Sequence, residues 1–107
     1  MHILFVSGEY PPMPGGVGAY TAQLGRALVD LGVQVSVLTA ANAATTIPIH
    51  PAIPVYAEVA RWNWPIWSRI PALAAQIGAD WVHVQYQTAA FGMNPAINLA
   101  PDIWRMI

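Results

Sequence analysis

Residues 9–20 read EYPPMPGGVGAY, and this stretch joins an apolar segment to an amphipathic one. The preceding segment, His2–Ser7, is short, apolar and partly β-branched, which is typical of a strand buried on both faces of a parallel sheet. In the following segment, apolar residues recur at three- and four-residue steps, which predicts a helix. These are Val17, Tyr20, Leu24, Ala27, Leu28 and Leu31, whereas Thr21, Gln23, Arg26 and Asp30 fall on other faces.

The two adjacent glycines of this stretch, Gly15 and Gly16, leave backbone amides without a shielding Cβ at the start of the predicted helix. Free N–H groups and the positive end of the helix dipole attract anions, so the loop predicts a phosphate-binding site. A plain tight turn is the alternative. The loop is not a P-loop, since the chain has no lysine. Three prolines also make it longer and stiffer than a GxGxxG turn, which disfavours an NAD or mononucleotide enzyme.

A second strand is predicted over residues 33–39, after Gly32 ends the helix. Its valines alternate, which indicates one clearly buried face and a less buried opposite face. Residues 40–54 are small, polar and rich in proline, as in an irregular loop, and His50 is interpreted as a loop histidine. Val55–Val59 is the predicted third strand.

The remaining chain predicts a second helix and a fourth strand. The helix covers Ile66–Ile77, with Pro71 marking either its start or a kink, and Gly78 ending it. Trp81–Gln85 is the predicted strand. Three tryptophans in residues 61–67 either pack where the helix meets the sheet or form a platform at a half-wet boundary. Residues 94–99 predict one or two helical turns.

The composition of the 107 residues limits the classes of function. The chain is 56% hydrophobic and only 8% charged, far below the roughly 25% typical of soluble domains, so a partner surface or further chain is expected to cover it. A net charge of −1 argues against nucleic-acid binding, and zero cysteines exclude disulfides and thiolate chemistry. With no secretory signal and no apolar run of about 18 residues, the sequence predicts a cytoplasmic protein.

These motifs together resemble the N-terminal signature of retaining GT-B glycosyltransferases of the family 4 type. The likeness covers residues 3–12, 15–20, 24–28, 31–39 and 79–87. Residues 31–39 read LGVQVSVLT, where that family usually has a Gly-His-Glu-Val type of sequence entering its second strand. The resemblance implies an α/β fold, a Rossmann-like parallel sheet of strand order 3-2-1-4 with flanking helices.

In that strand order the carboxyl ends of strands one and four flank the topological switch point, where open α/β sheets bind ligands. Residues 9–18 and 83–92 would then face one crevice. The resemblance places the donor diphosphate on the amides of Gly15 and Gly16. It places six residues on the acceptor side, namely Glu9, Tyr10, Met13, His83, Gln85 and Tyr86. For His83, the alternative is a buried histidine satisfied by neighbouring backbone.

No catalytic residue is assigned, and neither a metal nor another cofactor is expected, the nucleotide-sugar being a substrate. Residues 1–107 are expected to form a single partial domain, the N-terminal part of a GT-B enzyme without its C-terminal donor-binding domain and the acidic E-x7-E motif of that domain. The expected function is sugar transfer from a nucleotide-sugar to an acceptor, with the chain inactive alone. The alternative is a non-catalytic Rossmann-like binding or assembly module that self-associates or holds a protein partner through its apolar surface.

Overall fold

The computed structural model describes residues 1–12, 16–43, 50–60, 62 and 65–85. Strands and helices alternate along this part of the chain, as in α/β proteins. In chain order the elements are β1 (His2–Ser7), α1 (Gly16–Asp30), β2 (Gln34–Ala40), a short 3-10 helix (Ala41–Ala43), β3 (Val55–Val59), α2 (Ile66–Ile77) and β4 (Trp81–Gln85). The four predicted strands and both predicted helices are therefore present, and β2 is displaced by one residue. The predicted turns of residues 94–99 lie outside the described residues.

All strand pairs are parallel, and the sheet has the order β3-β2-β1-β4. This confirms the predicted order 3-2-1-4. Phe5 at the centre of β1 is in register with Val37 of β2 and His83 of β4. At the carboxyl end of β1, Ser7 is in register with Gln85. The central strand thus brings two distant parts of the chain together.

The two helices cover opposite faces of the sheet. On one face Ala22 of α1 packs with Phe5, Val35 and Val37 of the sheet. On the other face three residues of α2, Ile66, Ile70 and Leu73, pack with sheet residues Leu4, Val6, Leu38 and Val59. Burial of the sheet from both sides explains why its strands are short apolar runs.

The opposite face of β2 is more deeply buried than the sequence predicts. Leu38 is fully buried beneath α2, and Ser36 is only 2% exposed. The Ser36 hydroxyl is within 2.8 Å of Nε2 of His2 on the neighbouring strand, so this polar side chain is satisfied inside the core. The expectation of a less buried second face was wrong because α2 covers it.

The buried face of α1 also differs from the predicted stripe. Three members of that stripe are exposed, namely Tyr20, Ala27 and Leu31, and Leu31 is 79% exposed. The face turned to the sheet contains four buried small residues, Gly18, Thr21, Ala22 and Gly25, and two partly buried members of the predicted stripe, Leu24 and Leu28, pack against the same cluster. An added Cβ at Gly25 would lie 3.3 Å from Cδ1 of Ile53. Small residues bring the helix axis close to the sheet, so the large residues project beside the contact.

Both helices end in the same hydrogen-bonded motif. After α1, the Gly32 N–H donates to the Val29 carbonyl and the Val33 N–H to the Leu28 carbonyl. After α2, the Gly78 and Ala79 amides donate to the carbonyls of Ala75 and Ala74, respectively. Gly32 and Gly78 have φ values of 88° and 73°, which glycine tolerates best. Both predicted stop signals are confirmed.

The second helix runs through Pro71 rather than starting there. Its first turn follows Pro65, and Ile66 is already buried against the sheet. Trp62, just ahead of the helix, is 7% exposed and belongs to the same cluster, as expected for a ring that packs where the helix meets the sheet. Trp64 lies outside the described residues.

The burial pattern predicts opposite outcomes for two leucines. Leu38→Ala should lower the free energy of unfolding by about 2–5 kcal/mol, because it opens a cavity in the core. Leu31→Ala should change it by no more than about 0.5 kcal/mol, since Leu31 is an exposed side chain. Urea denaturation of both variants measures the difference. An equal loss in the two variants would contradict the burial described for α1.

Candidate functional site

The candidate site begins where the chain leaves β1. Ser7 is fully buried, and its hydroxyl donates to the Glu9 carbonyl over 2.5 Å. This bond closes a tight turn directly after the strand. The turn directs the backbone of Glu9 and Tyr10 toward the start of α1, which lies above the same end of the sheet.

The first turn of α1 packs directly on that backbone. A Cβ added to Gly18 would lie 3.0 Å from both Cα and N of Tyr10 and 3.1 Å from the carbonyl carbon of Glu9. Few real Cβ atoms lie this close to other atoms, so a side chain at position 18 would require the backbone of Glu9 and Tyr10 to shift by a few tenths of an ångström. The sequence analysis assigns no role to Gly18. The available signal was a poor helix former in a first helical turn, which often marks a close approach.

The side chain of Glu9 reaches the same turn. Its Oε1 accepts a hydrogen bond from the Gly18 N–H over 3.3 Å. The first N–H groups of a helix lack partners within the helix, so Glu9 satisfies one of them from outside. The structure therefore places the predicted acceptor-side residue Glu9 at the N-terminus of α1.

Gly16 is the first residue of α1, and it is exposed. Its φ is not in the left-handed region, and among the described residues outside its own helical turn no atom lies within 4 Å of an added Cβ. Neither conformation nor packing therefore requires glycine here, in contrast to Gly18. Because Gly16 has no side chain, a ligand can approach the backbone of the first turn. Gly15, the other predicted diphosphate contact, lies outside the described residues, as does Met13.

Tyr10 has a different environment from the other predicted acceptor-side residues. It is 1% exposed and packs in the apolar cluster beneath α1, together with Phe5 and Ala22. Burial raises the pKa of its phenol, and the nearby Arg26 charge lowers that pKa by less. Tyr10 thus anchors the loop in the core, while its contact with an acceptor stays a prediction.

The fourth strand supplies the other side of the site. Gln85, in register with Ser7, ends the strand, and its Nε2 is buried without a hydrogen-bond partner among the described residues. His83 is exposed, and its ring packs edge-on against Phe5, with the ring centroids 5.5 Å apart. The alternative of a buried His83 was therefore wrong, because the described residues cover β4 mainly on the α2 face, where Val82 and Val84 lie. Tyr86 lies outside the described residues.

The structure thus confirms one geometric prediction for the site. The carboxyl ends of β1 and β4 lie side by side, and the N-terminus of α1 packs at the end of β1.

Within the described residues, no three histidine or acidic side chains come together in a way that could hold a metal ion. Neither of the two α-helices found in these residues has the length and apolar character needed to span a membrane.

The two described glycines of the loop should respond differently to a methyl group. Gly18→Ala should lower the free energy of unfolding by about 1–3 kcal/mol, because its Cβ would lie 3.0 Å from backbone atoms of Tyr10 and force that backbone to shift. Gly16→Ala should change it by no more than about 0.5 kcal/mol, as the space around it is open. Thermal and urea denaturation provide the measurement, and equal effects would contradict the docking of α1.

The buried phenol of Tyr10 predicts a loss of stability at alkaline pH. Its pKa is raised in the folded state, so above about pH 10 the folded protein keeps a proton that the unfolded chain loses. Stability should fall as the pH rises from 10 toward the folded-state pKa. Tyr10→Phe should remove this part of the pH dependence, measured by urea denaturation between pH 8 and 11. Tyr20→Phe, at an exposed position, is the control and should retain it.

Comparison with known proteins assigns this architecture to a family. A family model described as Glycosyltransferase Family 4 matches residues 14–103, which include α1 and all elements after it. No curated protein and no solved structure matches the chain. The matched region holds the glycines at the start of α1 together with strands β2, β3 and β4, and it begins after β1. We conclude that the chain belongs to Glycosyltransferase Family 4.

Proposed function

We propose that the protein is the acceptor-side part of a retaining glycosyltransferase that moves a sugar from a nucleotide-sugar donor to an acceptor. Membership of Glycosyltransferase Family 4 supports the transferase chemistry. The single observation that carries the choice of site is the exposed, unobstructed Gly16 at the N-terminus of α1. It lies at the topological switch point of the sheet, where open α/β proteins bind ligands.

The chemistry of a nucleotide-sugar explains what this helix end would do. When the bond between the sugar and the diphosphate breaks, negative charge develops on the leaving diphosphate. Backbone N–H groups held in a fixed orientation stabilise such charge without having to reorganise during the reaction. The amides of Gly15 and Gly16 would serve in this way, aided by the positive end of the helix dipole.

The acceptor would lie on the other side of the crevice, against β4. His83 and Gln85 offer a ring nitrogen and an amide, which are hydrogen-bonding groups suited to a polyol. Glu9, Tyr10, Met13 and Tyr86 complete the proposed acceptor side, with Tyr10 contributing through the position of the loop because its side chain is buried. The proposal includes no metal or other cofactor.

The 107-residue polypeptide is proposed to be inactive by itself. In GT-B enzymes the reaction takes place in a cleft between two domains, and one sheet with two helices provides only one wall of such a cleft. The proposal also includes the cytoplasmic location predicted from the sequence.

A second candidate function, a non-catalytic assembly module, has one observation in its favour. Met1, Leu31 and Trp81 are 67%, 79% and 64% exposed, and they lie at the amino ends of three adjacent parallel strands. Exposed large apolar side chains at the amino end of a sheet favour association with another protein surface. Sedimentation of a monomer at all concentrations would argue against this candidate.

Activity measurements test the catalytic part of the proposal. The purified chain, incubated with UDP-, GDP- and ADP-sugars and simple sugar acceptors, should give no transfer above the uncatalysed background, because the second wall of the cleft is missing. Product formation is measured by mass spectrometry. Sustained turnover by the chain alone would contradict the two-domain account.

Nuclear magnetic resonance tests the site itself. Addition of UDP, GDP or ADP to the ¹⁵N-labelled chain should shift the amide signals of Gly16 and its neighbours in the first turn of α1, since these N–H groups would meet the diphosphate. The matching nucleosides, which carry no phosphate, are the control and should leave these signals in place. Shifts confined to other parts of the chain would contradict the proposed donor site.

A further inference from the structure

The N-terminus of α1 receives its negative charge from outside the helix. No acidic residue lies in the first turn of α1. Instead, the carboxylate of Glu9 hydrogen-bonds to the Gly18 N–H in that turn. A carboxylate at this end of a helix interacts favourably with the helix dipole. Its negative charge also reduces the positive potential that would attract a second anion to the same helix end.

This carboxylate is held in place by its surroundings. The Glu9 carbonyl accepts the Ser7 hydroxyl, and its backbone is in contact with Gly18, as described above. Glu9 is itself half-buried. Its charge is therefore a fixed feature of the loop, in contrast to an acidic side chain that moves freely in solvent.

We propose that the Glu9 carboxylate weakens the binding of the donor diphosphate at the N-terminus of α1. The inference rests on the proposed function, which places that diphosphate on the amides beside Gly16. Because Gly16 and Gly18 belong to one helical turn, the carboxylate and the diphosphate share the same end of the dipole and repel each other. The repulsion keeps the nucleoside diphosphate product from being retained by this domain.

This role is additional to the acceptor contact proposed for Glu9 from the family resemblance, and phosphate binding distinguishes the two. An acceptor contact would make the carboxylate favourable for binding and leave the affinity for phosphate unchanged. The proposed role makes removal of the charge favourable for phosphate binding. The two roles therefore predict different results for the same substitution.

The experiment compares pyrophosphate binding to the wild-type chain and to Glu9→Gln, followed by the amide signals of Gly16 and its neighbours. Glutamine keeps an oxygen that can accept the Gly18 N–H but removes the charge. Pyrophosphate should bind Glu9→Gln roughly three- to tenfold more tightly at 0.1 M salt, as expected for the loss of one nearby like charge. The gain should shrink at 0.5 M NaCl, where partly exposed charges are screened.

Asp30→Asn is the matched control. Asp30 is the last residue of α1, so this variant makes the same change of charge at the opposite end of the same helix. The separation is about 20 Å at 1.5 Å per residue, more than a Debye length at physiological salt. Asp30→Asn should therefore bind pyrophosphate as the wild type does. An equal gain in both variants would show a net-charge effect and overturn the proposal.

The other outcomes are equally decisive. Unchanged or weaker binding by Glu9→Gln, with binding by the wild type, overturns the proposal for Glu9 and leaves the donor site intact. No pyrophosphate-dependent shift at the first turn of α1 in either protein overturns the donor site and this inference with it. Glu9→Asp, which keeps the charge, should not gain affinity. If Glu9→Gln does not fold, Glu9→Ala serves as the second neutral variant with the same expected gain.

Discussion

The docking of the first turn of α1 on the backbone of Glu9 and Tyr10 is the contact on which the rest of the structure depends. Glycine at position 18 permits this contact without strain, since an added Cβ would lie only 3.0 Å from backbone atoms of Tyr10. The contact fixes where the helix starts above the end of β1, and from there which of its faces meets the sheet. It also determines where the free N–H groups of the helix lie relative to the carboxyl ends of β1 and β4.

The sequence predicts the strands well because each is a short apolar run bounded by glycine, proline or polar residues. The strand order was implied by the family resemblance. The buried face of α1 was not predictable in the same way. Hydrophobicity places the large side chains at the contact, whereas the close approach of helix and sheet selects small residues such as Gly18, Ala22 and Gly25. Burial of Ser36 likewise depends on a partner, His2, that lies far away in sequence.

In the candidate site, too, some features are predictable from the sequence and others depend on tertiary contacts. Topology alone places the end of β1 beside the end of β4, and the structure confirms this. The path of the loop, however, decides the position of each side chain. It buries Tyr10 and brings the Glu9 carboxylate to the helix, neither of which is encoded in local pattern. Membership of Glycosyltransferase Family 4 supports the proposal that this helix end holds the leaving diphosphate.

The central claim is that the N-terminus of α1 binds the diphosphate of a nucleotide-sugar. A crystal structure of the chain soaked with UDP, GDP and ADP in separate crystals tests it most directly. The account predicts phosphate oxygens within hydrogen-bond distance of the Gly16 amide, beside the ends of β1 and β4. Diphosphate bound only elsewhere, for example on exposed arginine side chains, with the Gly16 amide open in the crystal, would contradict the account.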